Sequence, residues 1–209
     1  MKPAYLWILL TCLLCITCSK KEEKPVRLIS LPRSNSPLVG AWWFRSPERG
    51  FFQIVFYPDG SCLSNVFEGG VGSYKASPTI IEVVSTSGKF NFRYILQGEY
   101  LQMQLPIPIG NVTFMRVSDR ALSLLRGRYC GSGEMDITSA YETVVEFDGR
   151  GAYTMRGELG LYWVDVEGLH LIITVGLYWG QSQFATSIPG NDGIISSFSG
   201  HDGTFTRCK

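Results

Sequence analysis

Leu38-Val39-Gly40-Ala41-Trp42-Trp43 returns later in the chain as Leu125-Arg126-Gly127-Arg128-Tyr129-Cys130. Two further echoes keep the same order. Val55-Phe56-Tyr57-Pro58-Asp59-Gly60 matches Val145-Glu146-Phe147-Asp148-Gly149, one residue shorter, and Thr113-Phe114-Met115-Arg116-Val117 matches Thr204-Phe205-Thr206-Arg207-Cys208. Measured at Gly40/Gly127, Asp59/Asp148 and Arg116/Arg207, the offsets are 87, 89 and 91 residues. Ordered matches at nearly constant spacing mark an internal duplication. The duplication divides the chain into a first β-repeat at 38–117 and a second at 121–208, with the polar seam Ser118-Asp119-Arg120 between them.

Both copies have strand periodicity. Large apolar and polar residues alternate through Phe90-Asn91-Phe92-Arg93-Tyr94, Leu101-Gln102-Met103-Gln104-Leu105 and Tyr141-Glu142-Thr143-Val144, as expected where every second side chain faces a core. Residues 169–175 form a β-branched-rich run that suits a more buried strand. Asp59-Gly60, Gln97-Gly98, Asp148-Gly149, Glu167-Gly168 and Asp192-Gly193 punctuate the runs as hairpin turns. No helical stripe follows Leu38, so helix content is expected to be near nil. Seven or eight short strands per copy make a meander, and a meander must cover or join its two open edges. The fold class expected is all-β: two tandem small antiparallel up-and-down barrels.

Each copy opens with Gly-x-aromatic (Gly40-x-Trp42, Gly127-x-Tyr129) and places an Arg in its last strand (Arg116, Arg207). This pattern resembles the calycin signature of lipocalins, fatty-acid-binding proteins and avidins. The resemblance implies that the first-strand aromatic plugs one barrel end and the last-strand Arg lies across its ring. A guanidinium over an aromatic face contributes about 0.5–2 kcal/mol and ties last strand to first. The second copy departs from the pattern in using Tyr129, and both copies are short. Such closure also makes Cys130 and Cys208 neighbours, because they occupy the positions of Trp43 and Val117 in the first copy. A disulfide there is expected, contributing roughly 4 kcal/mol by the chain-entropy argument. Cys62 is left as a small buried apolar residue.

Upstream of the repeats, Lys2 precedes an uncharged, mostly apolar run at 4–16, too short to span a bilayer. The run ends at Cys18, followed at once by Ser19-Lys20-Lys21-Glu22-Glu23-Lys24. This junction resembles the lipobox of bacterial lipoproteins, although Cys15 and Thr17 stand where that family has Leu and a small residue. Cys15 and Cys12 are alternative acceptors, each with a shorter apolar run. The resemblance implies a signal peptide at 1–17, lipidation of Cys18, and a flexible tether through residue 37, exported and anchored to a bacterial membrane, the outer membrane foremost. With Lys2 removed, the 19 basic residues fall to 18 against 18 acidic ones. A balanced charge argues against nucleic acid as a partner.

Chemistry is sparse. His170 lies in an apolar run and His201 in a turn, without spaced Cys or carboxylate partners for a metal. Gly-x-Ser-x-Gly, P-loop, Gly-x-Gly-x-x-Gly and EF-hand patterns are all missing. No catalytic residue and no cofactor are assigned. Aromatics are abundant instead: Trp42, Trp43, Phe44, Phe51 and Phe52 in the first copy, Tyr162, Trp163, Tyr178 and Trp179 in the second. Adjacent pairs such as Trp42-Trp43 point to opposite faces of a strand, so one of each pair is available for a protein or glycan partner. Pro106-Ile107-Pro108-Ile109-Gly110 forms a stiff apolar loop with no evident core partner. The reading is a non-catalytic interaction module; the alternative is a calycin-like carrier of a small hydrophobic ligand held inside a barrel.

Overall fold

The computed structural model describes residues 36–208 apart from 48–49, 69, 107–108, 133–141, 165–169, 174–182, 191–192 and 201–202. The expected leader, Cys18, most of the expected tether, His201, Tyr178 and Trp179 therefore lie outside the described residues. Alternation turns directly into walls. In β6 (Gly88–Gln97) Phe90, Phe92, Tyr94 and Leu96 point inward, while Lys89, Asn91, Arg93 and Ile95 face solvent.

Among the described residues, sixteen strands form two closed antiparallel barrels of eight. The first comprises β1 (Gly40–Ser46), β2 (Gly50–Phe56), β3 (Ser61–Ser64), β4 (Val71–Ala76), β5 (Ile80–Ser85), β6, β7 (Tyr100–Gln104) and β8 (Asn111–Arg116). The second runs from β9 (Arg126–Ser132) through β10 (Glu142–Asp148), β11 (Ala152–Met155), β12 (Glu158–Val164), β13 (His170–Ile173), β14 (Gln183–Pro189) and β15 (Ile195–Gly200) to β16 (Gly203–Arg207). Each last strand pairs with its own first strand, which leaves neither barrel an open edge.

In barrel one the closing ladder joins Trp42 to Arg116 and Trp43 to Met115. The Arg116 guanidinium lies 5.3 Å from the centre of the buried Trp42 ring and donates to the Val39 carbonyl at 2.8 Å. Gly40 makes room for it. A Cβ at that position would stand 3.3 Å from Arg116 Nη2, and its φ of +135° is one that side-chain-bearing residues avoid. In barrel two Arg207 pairs with Tyr129, whose buried hydroxyl donates to the Ile195 carbonyl at 2.6 Å. The disulfide expected between Cys130 and Cys208 is present, with Cα atoms 5.2 Å apart. Cys62 is a free, buried thiol inside barrel one, and burial pushes its pKa up to about 12.

Strand registers correct one repeat match. Phe56 pairs with Gly40 and Phe147 with Gly127; Cys62 pairs with Phe56 and Tyr153 with Phe147. Phe147 is therefore the counterpart of Phe56, not of Tyr57. Asp148 stands at the position of Tyr57, and Arg150 at that of Asp59. The Asp-Gly pairs had drawn the alignment two residues out of step. A missed echo also emerges: Gly72-Ser73-Tyr74 on β4 matches Gly160-Leu161-Tyr162 on β12, each Tyr facing its barrel interior.

The polar seam is not wholly extended. Ser118 caps a one-turn helix, α1 (Asp119–Ser123), accepting from the Ala121 amide at 3.1 Å. Its Ala121 and Leu122 are buried, and the carbonyls of Leu122 and Leu125 lie 3.1 and 3.0 Å from the Tyr162 hydroxyl. A single turn has no periodicity to detect, so the expectation of negligible helix missed it. Ile109 likewise packs against the core of barrel one, so the Pro106–Gly110 loop does have a core partner.

The two closures predict different responses. Reduction, or Cys130→Ala with Cys208→Ala, should lower the stability of barrel two by up to about 4 kcal/mol and leave barrel one's transition in place. Arg116→Ala should weaken barrel one by about 2–3 kcal/mol with the disulfide intact. Calorimetry of both variants separates these outcomes, and a common shift in both transitions would contradict them.

Candidate functional site

The chain presents two distinct surfaces: the seam where the barrels meet and the outer wall of barrel one. The seam starts from β2, whose Phe51-Phe52-Gln53-Ile54-Val55-Phe56 does not alternate and is buried on both faces. A strand apolar on both sides needs cover on both sides. Phe52, Ile54 and Phe56 fill barrel one; Val55, with Ala41 and Leu63 from the neighbouring strands, joins a cluster containing Ala152, Leu161 and Tyr162 of barrel two. Trp43 is the outward member of the Trp42-Trp43 pair, and its ring lies 4.8 Å from that of Trp163 across the seam.

Gln53 sits in the middle of this apolar contact, fully buried. Its Nε2 donates to the Gly151 carbonyl at 3.1 Å and to the Tyr162 carbonyl at 3.0 Å, both in barrel two. Two carbonyls need the donor end of the amide, which fixes its orientation. Oε1 is buried with no hydrogen-bond partner. Gly151 permits the approach: a Cβ there would come within 2.8 Å of Gln53 Nε2 and 3.1 Å of the Ala41 methyl.

Beside it, the Tyr57 hydroxyl donates across the seam to Asp148 Oδ2 at 2.8 Å. Asp148 Oδ1 accepts from the amides of Arg150 at 2.7 Å and Ala152 at 3.0 Å. Burial raises the Asp148 pKa above the usual aspartate value, partly offset by those amides, the Tyr57 hydroxyl and the charge of Arg150. Burial, then the Asp148 charge, holds the Tyr57 pKa well above that of a free tyrosine. A cleft of about 410 Å³ opens here, lined in part by Arg116, Asp119, Leu122 and Arg150. Its Arg116 is engaged in barrel closure.

The other surface is the outer wall built by β5 to β8. Ile95 and Tyr100 are more than half exposed, at 55% and 53%, with Ile80 and Met115 close behind. Their neighbours are Arg93, Gln102, Gln104, Asn111 and Thr113, all outward and exposed. A groove of about 710 Å³ runs along this wall. The interior behind it is occupied. Trp42, Phe52, Phe56, Phe92 and Phe114 are each under 2% exposed or nearly so, and Phe44 stacks on Phe52 at 5.1 Å.

The predicted residues thus fall into two groups. Trp42 and Arg116 meet, Tyr129 and Arg207 pair, and Cys130 bonds Cys208, all at barrel closure and none on the open wall. Gln53 and the amide-rich wall were not singled out from sequence, although the double-sided β2 and the unusual run of Gln and Asn were visible there; Asp148 was read only as a turn residue, and its bond to Tyr57 across the seam was not. Among the described residues, no three of His, Cys, Asp and Glu group as metal ligands would. No known family model matches this chain, and no curated protein shows significant similarity to it.

Two predictions concern the seam. Gln53→Ala removes both cross-barrel bonds and should cost about 1–3 kcal/mol, read as a lower thermal midpoint; Gln102→Ala on the open wall should stay within about 0.5 kcal/mol. Because the Asp148 pKa is raised in the folded state, its contribution to stability is fullest below the unfolded value and is lost as pH rises through the folded one. Asp148→Asn should therefore gain stability relative to wild type as pH is raised from 4 to 8. A relative loss over that range would show that the ionised carboxylate is the favoured form.

Proposed function

We propose that this protein is an exported, lipid-anchored, non-catalytic contact module, held to a bacterial membrane through Cys18 and meeting a macromolecular partner on the outer wall of barrel one. The observation that carries the reading is the division between interior and wall. An eight-stranded barrel has room for its own side chains or for one small ligand. Barrel one spends that room on stacked aromatics, which favours a contact role over the carriage of a hydrophobic molecule. The wall of β5 to β8, by contrast, leaves Ile80, Ile95, Tyr100 and Met115 open to solvent, and exposed apolar groups among polar ones suit recognition.

The anchoring half of the proposal rests on the apolar run closing at Cys18 and on the charged stretch after it. A lipidated cysteine would hold the barrels close to a membrane, with residues 19–35 as the connection. Each buried methylene of the attached chains adds about 0.8 kcal/mol to membrane binding, so more than one chain makes the attachment stable.

Expressed in a lipoprotein-processing bacterium, the protein should incorporate labelled palmitate and partition into detergent, and Cys18→Ala should do neither. A photo-crosslinking amino acid placed at Ile95 or Tyr100 should yield adducts in whole cells, whereas one at Lys75 should not. Saturable, stoichiometric binding of a fluorescent fatty acid, with no wall-specific adduct, would replace the contact role with that of a carrier.

A further inference from the structure

We propose that the groove on the outer wall of barrel one binds an oligosaccharide that carries a carboxylate; this rests on the reading of that wall as the contact surface. The first ground is the choice of polar residue. Five of the chain's eleven Asn and Gln, namely Asn91, Gln97, Gln102, Gln104 and Asn111, lie on β6 to β8. A wall that needs only solubility is ordinarily covered by Lys and Glu. An amide presents donor and acceptor together, which suits adjacent sugar hydroxyls that both give and accept hydrogen bonds.

The second ground is that this capacity is unspent. Among the described residues, Arg93, Gln102, Gln104, Asn111 and Thr113 make no side-chain hydrogen bond or ion pair. They stand on adjoining rungs of the ladder: Ile95 pairs with Gln102 and Gln102 with Thr113, while Gln104 pairs with Asn111. Tyr100, paired with Met115 on the next rung, offers an exposed ring with an apolar face and a polar edge. Four neighbouring strands at ~4.8 Å spacing make the platform about 14 Å wide, enough for a short oligosaccharide lying across them.

Charge selects within that class. The groove is lined by a single guanidinium, Arg93, and by no carboxylate. One cation is too little for a polyanion such as nucleic acid, but it matches one carboxylate in a bidentate pair. A peptide adding itself as a strand finds no free backbone edge, because every strand of the closed barrel is already paired on both sides.

Titration calorimetry of the full-length protein in detergent tests this, with a hyaluronan octasaccharide as the uronate-bearing probe and chitohexaose as its neutral counterpart. Saturable binding of hyaluronan is expected, with chitohexaose at least tenfold weaker. Arg93→Gln should bring hyaluronan down to the level of chitohexaose. Gln102→Ala with Gln104→Ala should weaken both at least tenfold, and Lys75→Ala should change neither. Binding that survives the wall substitutions, or binding of neither probe, overturns the inference. If both sugars fail while crosslinks at Ile95 or Tyr100 capture a protein, the glycan is wrong and the contact reading stands; if the crosslinks fail as well, both fall.

Discussion

Everything in this molecule depends on joining a last strand to a first. A meander of eight strands carries two edges of unpaired amides and carbonyls, and only closure removes both. In barrel one the closing ladder is short, from Trp42–Arg116 to Trp43–Met115. Backbone pairing alone is thin there, so side chains reinforce it. Arg116 covers the Trp42 ring and bonds the Val39 carbonyl, and the Val117 amide donates to the Ala41 carbonyl at 2.9 Å. Barrel two repeats the last contact as Cys208 to Arg128 at 3.0 Å, then adds a covalent bond. The two copies meet the same constraint by different chemistry at equivalent positions.

That difference follows from where the second barrel must dock. Trp43 occupies the position of Cys130, and it is needed outside barrel one, packed at a tilt against Trp163. A cysteine there would remove one of the two indole rings that meet at the seam. In barrel two the equivalent position makes no such contact, so it is available for the disulfide. Closure and docking thus share one residue site, resolved one way in each copy. Gln53 then sets the docking geometry, since an apolar contact alone is non-directional whereas a buried amide bonded to two particular carbonyls tolerates little sliding.

Much of the fold was legible because barrels obey period two. Phe90-x-Phe92-x-Tyr94 could face only one way, and the duplicated Gly-x-aromatic and terminal Arg located both closures. What escaped had no period. One helical turn at Asp119–Ser123 is too short to show a stripe, and the hairpin match slipped because Asp-Gly is common in turns and carries little register information. The seam was written in β2, where apolar residues on both faces signal a strand covered twice. Alternation fails at Phe51-Phe52, and that failure marks the doubly covered strand. The wall was harder to see, since Gln102 and Gln104 first register as the polar half of a strand and become unusual only when Asn91, Gln97 and Asn111 fall beside them.

The distribution of polar groups between the two surfaces follows from whether water is present. At the seam Gln53 is fully buried and Tyr57 and Asp148 are half-buried, and each is committed: Gln53 to two carbonyls, Tyr57 to Asp148, Asp148 to two amides. Leaving any of them unmet would cost about 1–3 kcal/mol, and among the described side chains the unpartnered Oε1 of Gln53 is where such a cost is accepted. On the outer wall water meets the amides at no such cost, so nothing in the fold requires them. These amides, concentrated on three adjacent strands, are the groups on which the proposed contact rests. The two barrels share one plan but not one exposure: barrel one covers the outer face of β1 to β3 at the seam, and β5 to β8 keep theirs open to solvent.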